Sequence, residues 1–84
     1  MIEITIPCGE MTHIAQFHEA LGQALNFPAS YGANLDAMHD LLTSLSSPTR
    51  LVLAGLGSAD FPILALQRVL RDSEEENPNL TVSW

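Results

Sequence analysis

Asp36, His39, Asp40 and Thr43 follow one another at i, i+3, i+4 and i+7 within the stretch YGANLDAMHDLLT, Tyr31 to Thr43. On a helix those positions share one face, and two carboxylates at i and i+4 repel each other by ~0.2–0.5 kcal/mol. Stability alone does not select such a pair beside a leucine stripe, so a cationic partner is indicated. Histidine with carboxylates is also a metal donor set. Neighbouring positions 39 and 40, however, point about 100° apart on a helix and converge poorly. No other His or Cys is placed to complete a shell, and Ser44, Ser46 and Ser47 lack any motif that would activate a nucleophile. Catalysis is therefore the weakest reading, and no cofactor is expected. A carboxylate ridge that docks into a basic protein uses the same residues without strain. The plain alternative is a solvated helix face on which Asp36 gains from the positive helix N-terminus. Histidine titrates near neutral pH, so a charge on His39 would neutralise part of the ridge as pH falls.

The elements that must hold this ridge follow from hydrophobic periodicity. Ile2, Ile4 and Ile6 alternate with Glu3 and Thr5 as in a strand. Thr12 stands as the N-cap of a first helix whose stripe is Ile14, Phe17, Leu21 and Leu25, with His13 and His18 read as surface residues. Pro28 stops that helix, and Gly32 offers a backbone angle that other residues resist. Asn34 reads as the N-cap of the second helix, anchored by Leu35, Met38, Leu42 and Leu45. Leu51 to Leu56 is expected to be a buried strand. Asp60 and Pro62 are expected to open a third helix with the stripe Ile63, Leu66, Val69 and Leu70, and Leu80 to Trp84 a last strand. Because each strand-to-strand link is helical, the fold expected is α/β, in the order β-α-α-β-α-β, with a three-stranded parallel sheet. Residues 1–84 are expected to form one domain. Trp84 is expected to cover the end of the sheet.

Composition narrows the function. Ten acidic residues face three arginines and no lysine, a formal net charge of −7. Such a surface repels phosphate backbones and anionic membranes, so neither direct nucleic-acid nor membrane binding is expected, whereas a basic protein would be attracted. With 84 residues, 46% hydrophobic and 15% charged, the chain can bury a small core and is not of disordered composition. The lone Cys8 excludes an internal disulfide framework and suits a reducing cytosol. Cys8 lies near no base and is read as a structural or exposed thiol. Neither a signal-like start nor an apolar run of ~18 residues is present, so a cytoplasmic location is expected.

Tyr31, Gly32, Asn34, Leu35, Asp36, Ala37, Met38, His39, Asp40, Leu42 and Thr43, preceded by Leu25 and Pro28, together form a pattern that resembles the barstar family of intracellular ribonuclease inhibitors. The order of elements along the whole chain fits the same family. The resemblance implies a protein that binds a basic, extracellular-type ribonuclease or nuclease toxin, as a monomer and 1:1, without a cofactor. It places Asp40 at the family aspartate that enters the nuclease's phosphate site, and Asp36 at the second helix carboxylate. It places Asn34 and Thr43 at contact positions on the helix and its cap, and Tyr31 and Gly32 in the loop leading into it. Counted back from the last strand, Glu76 falls at a further acidic contact, and Asp72 one helical turn earlier. Three positions depart from the family. Ser30 replaces a tyrosine of its best-known member, His39 replaces the usual tryptophan, and Ser44-Leu45 replaces a Gly-Trp pair. Aromatic anchors carry much interface energy, so these departures imply a weaker complex or a different nuclease, in the latter case with the aspartates as the shared core and Ser30, His39 and Ser44 among the flanking specificity positions. An acidic module for a basic partner that is no nuclease is the alternative.

Overall fold

The isoleucine alternation at the N-terminus belongs to β1 (Ile2–Pro7), and its register shows what the alternation serves. In the computed structural model, which describes residues 1–84, β1 pairs in parallel with β2 (Thr49–Ala54) and β2 in parallel with β3 (Leu80–Ser83), in the order β1-β2-β3. Ile4, Leu51 and Val82 form one row across the sheet, and Ile2, Thr49 and Leu80 another. Ile6, Leu51, Leu53, Leu80 and Val82 on that face are buried, whereas Glu3, Thr5, Arg50 and Thr81 on the other are exposed. The helices thus cover one face and water meets the other. β2 accordingly differs from the expected strand Leu51 to Leu56. It starts at Thr49, whose N–H donates to the Asn79 carbonyl at 2.7 Å, and it is buried on one side only. Leu56 instead opens a short 3-10 turn, Leu56–Ser58, and is itself buried.

Helical crossovers join the parallel strands, as such pairing requires. α1 (Ile14–Leu25) and α2 (Leu35–Thr43) connect β1 to β2, and α3 (Leu64–Glu76) connects β2 to β3. Phe17 and Leu21 of α1, Met38 and Leu42 of α2, and Leu66 and Leu70 of α3 are fully buried between them and the sheet. Each such side chain contributes about 1.5–3 kcal/mol by leaving water.

Two helix starts differ from the expected ones. His13, not Thr12, caps α1: its Nδ1 accepts the Ala15 N–H at 3.1 Å, while Gln16 Oε1 accepts the N–H groups of Thr12 and His13. Asp60 caps nothing; its N–H donates to the Met11 carbonyl at 2.8 Å, and α3 starts at Leu64 with Ile63 at the cap position and no side-chain cap. α1 ends on Asn26, which takes the left-handed φ of 55° before Pro28 is reached. At the far end of the sheet Gly55 has φ 71°, and a Cβ there would stand 3.0 Å from Gly9 Cα, so only glycine fits the turn without strain. The outer edge of β3 is sealed by α3. Glu74 accepts the Val82 N–H at 2.6 Å, and Arg71 donates to the Val82 carbonyl at 2.8 Å and to Glu74 at 3.0 Å. Trp84, half-exposed at the strand end, lies under the Arg71 guanidinium, 3.9 Å from its ring centroid. Cys8 is fully buried, which pushes its thiol pKa up and keeps it inert.

Candidate functional site: an acidic ridge on α2

α2 is short, at nine residues, and a helix of that length is marginal alone. Both ends are therefore held from outside its hydrogen-bond ladder. Asn34 sits in extended backbone, and its Oδ1 accepts the Ala37 N–H at 2.8 Å, a cap worth about 1 kcal/mol. At the other end Asn77, buried in the turn after α3, donates through Nδ2 to the carbonyls of Leu42 at 2.9 Å and Leu45 at 3.0 Å. Its Oδ1 accepts the Asn79 N–H at 3.0 Å. Met38 and Leu42 bury the inner face, so Asp36 and Asp40 point outward, fully solvated, with Asp40 87% exposed.

The loop before α2 is fixed by a contact that sequence reasoning placed wrongly. His18 is not a surface residue: it is 2% exposed, and its Nδ1 shares a hydrogen bond of 2.6 Å with the Tyr31 hydroxyl. Phe17 and Tyr31 meet its ring edge-on, and Phe27 meets Tyr31 likewise. Burial lowers the His18 pKa and pushes that of Tyr31 up to about 12. The pair is therefore neutral, joined by a single hydrogen bond between ring and phenol. The signal was present in the spacing: His18 stands at i+4 from Ile14 and i−3 from Leu21, on the apolar stripe. Gly32 does not take a left-handed angle either. Ala33 does, at φ 50°, a costly angle for a residue with a Cβ. At Gly32 a Cβ would stand 2.8 Å from Asn34 Nδ2, so a larger residue would push on the side chain that caps α2.

Side chains from two helices make up the ridge. Asp36, His39, Asp40 and Thr43 lie on α2, and Glu76, the last residue of α3, reaches His39. The imidazole Nε2 of His39 contacts the Glu76 carboxylate, and Nδ1 is 3.9 Å from Asp40 Oδ1. Thr43 and Ser44 turn their hydroxyls back onto α2, donating to the carbonyls of His39 at 2.8 Å and Asp40 at 2.7 Å respectively. Asp72 is exposed one turn before Glu76 on α3, and Ser30 and Gly32 are exposed in the loop at the opposite end of α2. Tyr31 is half-buried with its hydroxyl committed to His18, so only its ring edge remains for a partner.

The ridge is convex. Of the three grooves in the molecule, the first, about 430 Å³, lies between α1 and the Phe27–Ala33 loop, and none includes Asp36, His39, Asp40 or Glu76. No three His, Cys, Asp or Glu side chains converge to hold a metal, and no helix is long and apolar enough to cross a membrane. Solvated carboxylates on a raised, doubly capped helix can pair with cations presented by a concave surface. A small substrate is usually enclosed in a pocket. No curated protein matches the chain. Its match to a family model runs over residues 1–82 of 84, almost end to end, and on that match the chain belongs to the Barstar (barnase inhibitor) family.

Proposed function

We propose that this protein is a stoichiometric inhibitor of a basic ribonuclease or nuclease toxin, acting inside the cell and occluding the enzyme's active site with α2. The observation that carries the reading is the pair of solvated carboxylates, Asp36 and Asp40, held rigid on a convex face by Asn34, Asn77 and the leucine side of the helix. A nuclease must offer arginine, lysine or histidine to the scissile phosphate, and a carboxylate delivered there takes the phosphate's place with charge-assisted hydrogen bonds. Because the helix is ordered before the encounter, little conformational entropy is lost on binding. The net charge of −7 attracts a basic enzyme over several ångströms and makes association salt-dependent. Family membership supports the class of partner. Ser30, Asp72, Thr43 and Ser44 border the ridge as the residues that would set which nuclease is bound.

Ser30, His39 and Leu45 favour a second reading, an acidic module for a basic partner that is no nuclease, since by the resemblance they stand in place of a tyrosine and two tryptophans. One experiment separates the two. Wild-type protein and an Asp36→Ala/Asp40→Ala variant are used as baits in parallel on the native cell's lysate and secreted fraction, and captured proteins are assayed for RNase activity. A basic nuclease held by the wild type, missed by the variant and silenced on binding is the expected result. Capture of a non-nuclease through the same aspartates would move the function to the second reading.

A further inference from the structure

His39 is one of the positions where this chain departs from the family it resembles, and it touches carboxylates of two helices. A carboxylate only accepts, so the contact with Glu76 places a proton on His39 Nε2. In the neutral ring Nδ1 is then a bare lone pair, 3.9 Å from the Asp40 carboxylate. Two acceptors stand side by side with no donor between them. In the charged ring Nδ1 carries a proton as well, and the imidazolium lies between Asp40 and Glu76 as an internal cation. Both groups in contact with it are acidic, Asp40 on α2 and Glu76 on α3; Asp36 stands three residues before it on α2, and Asp72 and Arg68 stand one and two turns before Glu76 on α3. Arg50 is paired with Glu3 at 3.5 Å, and Arg71 with Glu74 at 3.0 Å, both away from the ridge.

We infer that His39 is a positioning residue of the ridge: its ring holds the Glu76 carboxylate against α2 and, while neutral, offers Nδ1 beside Asp40 as a joint acceptor for a guanidinium or ammonium of the partner. Protonation fills that seat from within and binding stops. The inference rests on the inhibitor reading for the identity of the partner, but not for the contact itself. It also accounts for histidine in place of a tryptophan. A tryptophan could anchor the partner by stacking, but it brings no proton that depends on pH and no acceptor.

Two arms test it. In the free protein, the imidazole Nε2–H resonance of His39, protected by the carboxylate, is expected in the wild type and lost in Glu76→Ala, which has no acceptor. Its persistence in Glu76→Ala would overturn the contact without touching the inhibitor reading. In the second arm a synthetic hexa-arginine peptide stands in for the partner's cations, and calorimetry is run from about pH 5.5 to 8 in buffers of different ionisation heat. Wild-type affinity should fall with pH, by up to about tenfold per unit where one proton is released per complex. His39→Gln, whose amide does not titrate, should give a flat profile whatever its affinity at pH 8. A wild-type profile as flat as that of His39→Gln, or one proton still released by the variant, would overturn the proposal. RNase inhibition measured on the same preparations reports separately on the function, because loss of inhibition with both arms intact would sink only the inhibitor reading.

Discussion

Replacing Asn77 with alanine removes three hydrogen bonds, two that join the end of α2 to the turn after α3 and one within that turn. The lost contacts are Nδ2 to Leu42 O at 2.9 Å, Nδ2 to Leu45 O at 3.0 Å, and Oδ1 from the Asn79 N–H at 3.0 Å. Leu45 O keeps a second donor, Asn79 Nδ2 at 3.3 Å. The Asn79 N–H is left without a partner, and the Leu42 carbonyl keeps only the long bond from the Leu45 N–H at 3.4 Å, at a position where Asn77 is 4% exposed. A buried polar group stripped of its partner costs about 1–3 kcal/mol, and water reaching the opened turn returns some of it. The sum comes to about 1–3 kcal/mol, and for a domain of this size each kcal/mol lowers Tm by about 4–8 °C. Urea unfolding followed by far-UV circular dichroism and by the fluorescence of Trp84, the sole tryptophan, measures the loss, and Tm should fall by at least about 4 °C. Asn77→Asp separates lost donors from lost volume. It is nearly isosteric but turns a carboxylate towards two carbonyl oxygens, so it should be at least as damaging as alanine. A loss below about 0.5 kcal/mol in Asn77→Ala, or an aspartate variant as stable as wild type, would refute the view that Asn77 secures the C-terminal end of α2.

The His18–Tyr31 bond gives a pH dependence of folding. Burial lowers the His18 pKa from its ordinary 6.5, so as pH falls the unfolded chain takes up that proton first and stability is lost from about pH 6.5 downwards. Urea titrations at pH 7 and pH 5 should show this loss in wild type and a smaller one in His18→Gln. Tyr31→Phe leaves His18 Nδ1 without its partner at 2.6 Å and should cost about 1–3 kcal/mol at pH 7. Asp40→Ala should weaken nuclease binding by about 2–5 kcal/mol, a range taken from buried charge pairs in general, including complexes of this family, and not worked from this structure. The same variant should melt no lower than wild type, since it relieves the pair with Asp36 and removes an anion from the last turn of α2; a lower Tm would mark the carboxylate as structural. Gly55→Ala forces a Cβ to 3.0 Å from Gly9 Cα at φ 71° and should cost at least about 1–2 kcal/mol in the same unfolding assay.

How legible each part was depended on whether its cause is local. The alternation of Ile2, Ile4 and Ile6 and the cap at Asn34 are local, and both stand in the structure as the sequence implies. The order of elements follows from periodicity, and the parallel sheet follows from that order. Boundaries set by distant partners were not legible. β2 begins at Thr49 because Asn79 and Ile2 are there to meet it, not because its residues are apolar. α3 begins late because the Asp60 backbone is engaged with Met11. At the site, the spacing of Asp36 and Asp40 showed the face, but nothing in the sequence tied Glu76 to His39. That contact requires α3 to end beside α2, which the Asn77 hydrogen bonds to Leu42 and Leu45 bring about across 35 and 32 residues of chain. Asn77 therefore read only as turn punctuation.

The ridge and the fold share their supports, and magnitudes show why the chain tolerates the arrangement. Repulsion between Asp36 and Asp40 costs ~0.2–0.5 kcal/mol, and Asp40 in the last turn of α2 opposes the helix dipole by a similar amount. Against this stand Met38 and Leu42, both fully buried, at about 1.5–3 kcal/mol each, and the caps supplied by Asn34 and Asn77. The inner face and the two ends thus outweigh the outer face several times over. Residues that face water on α2 are consequently free to vary with the partner while the helix stays where it is. His39, in the position the family gives to tryptophan, illustrates that freedom: α2 is still capped at both ends and buried on its inner side with an imidazole there. Specificity can change on such a surface without the core having to change with it.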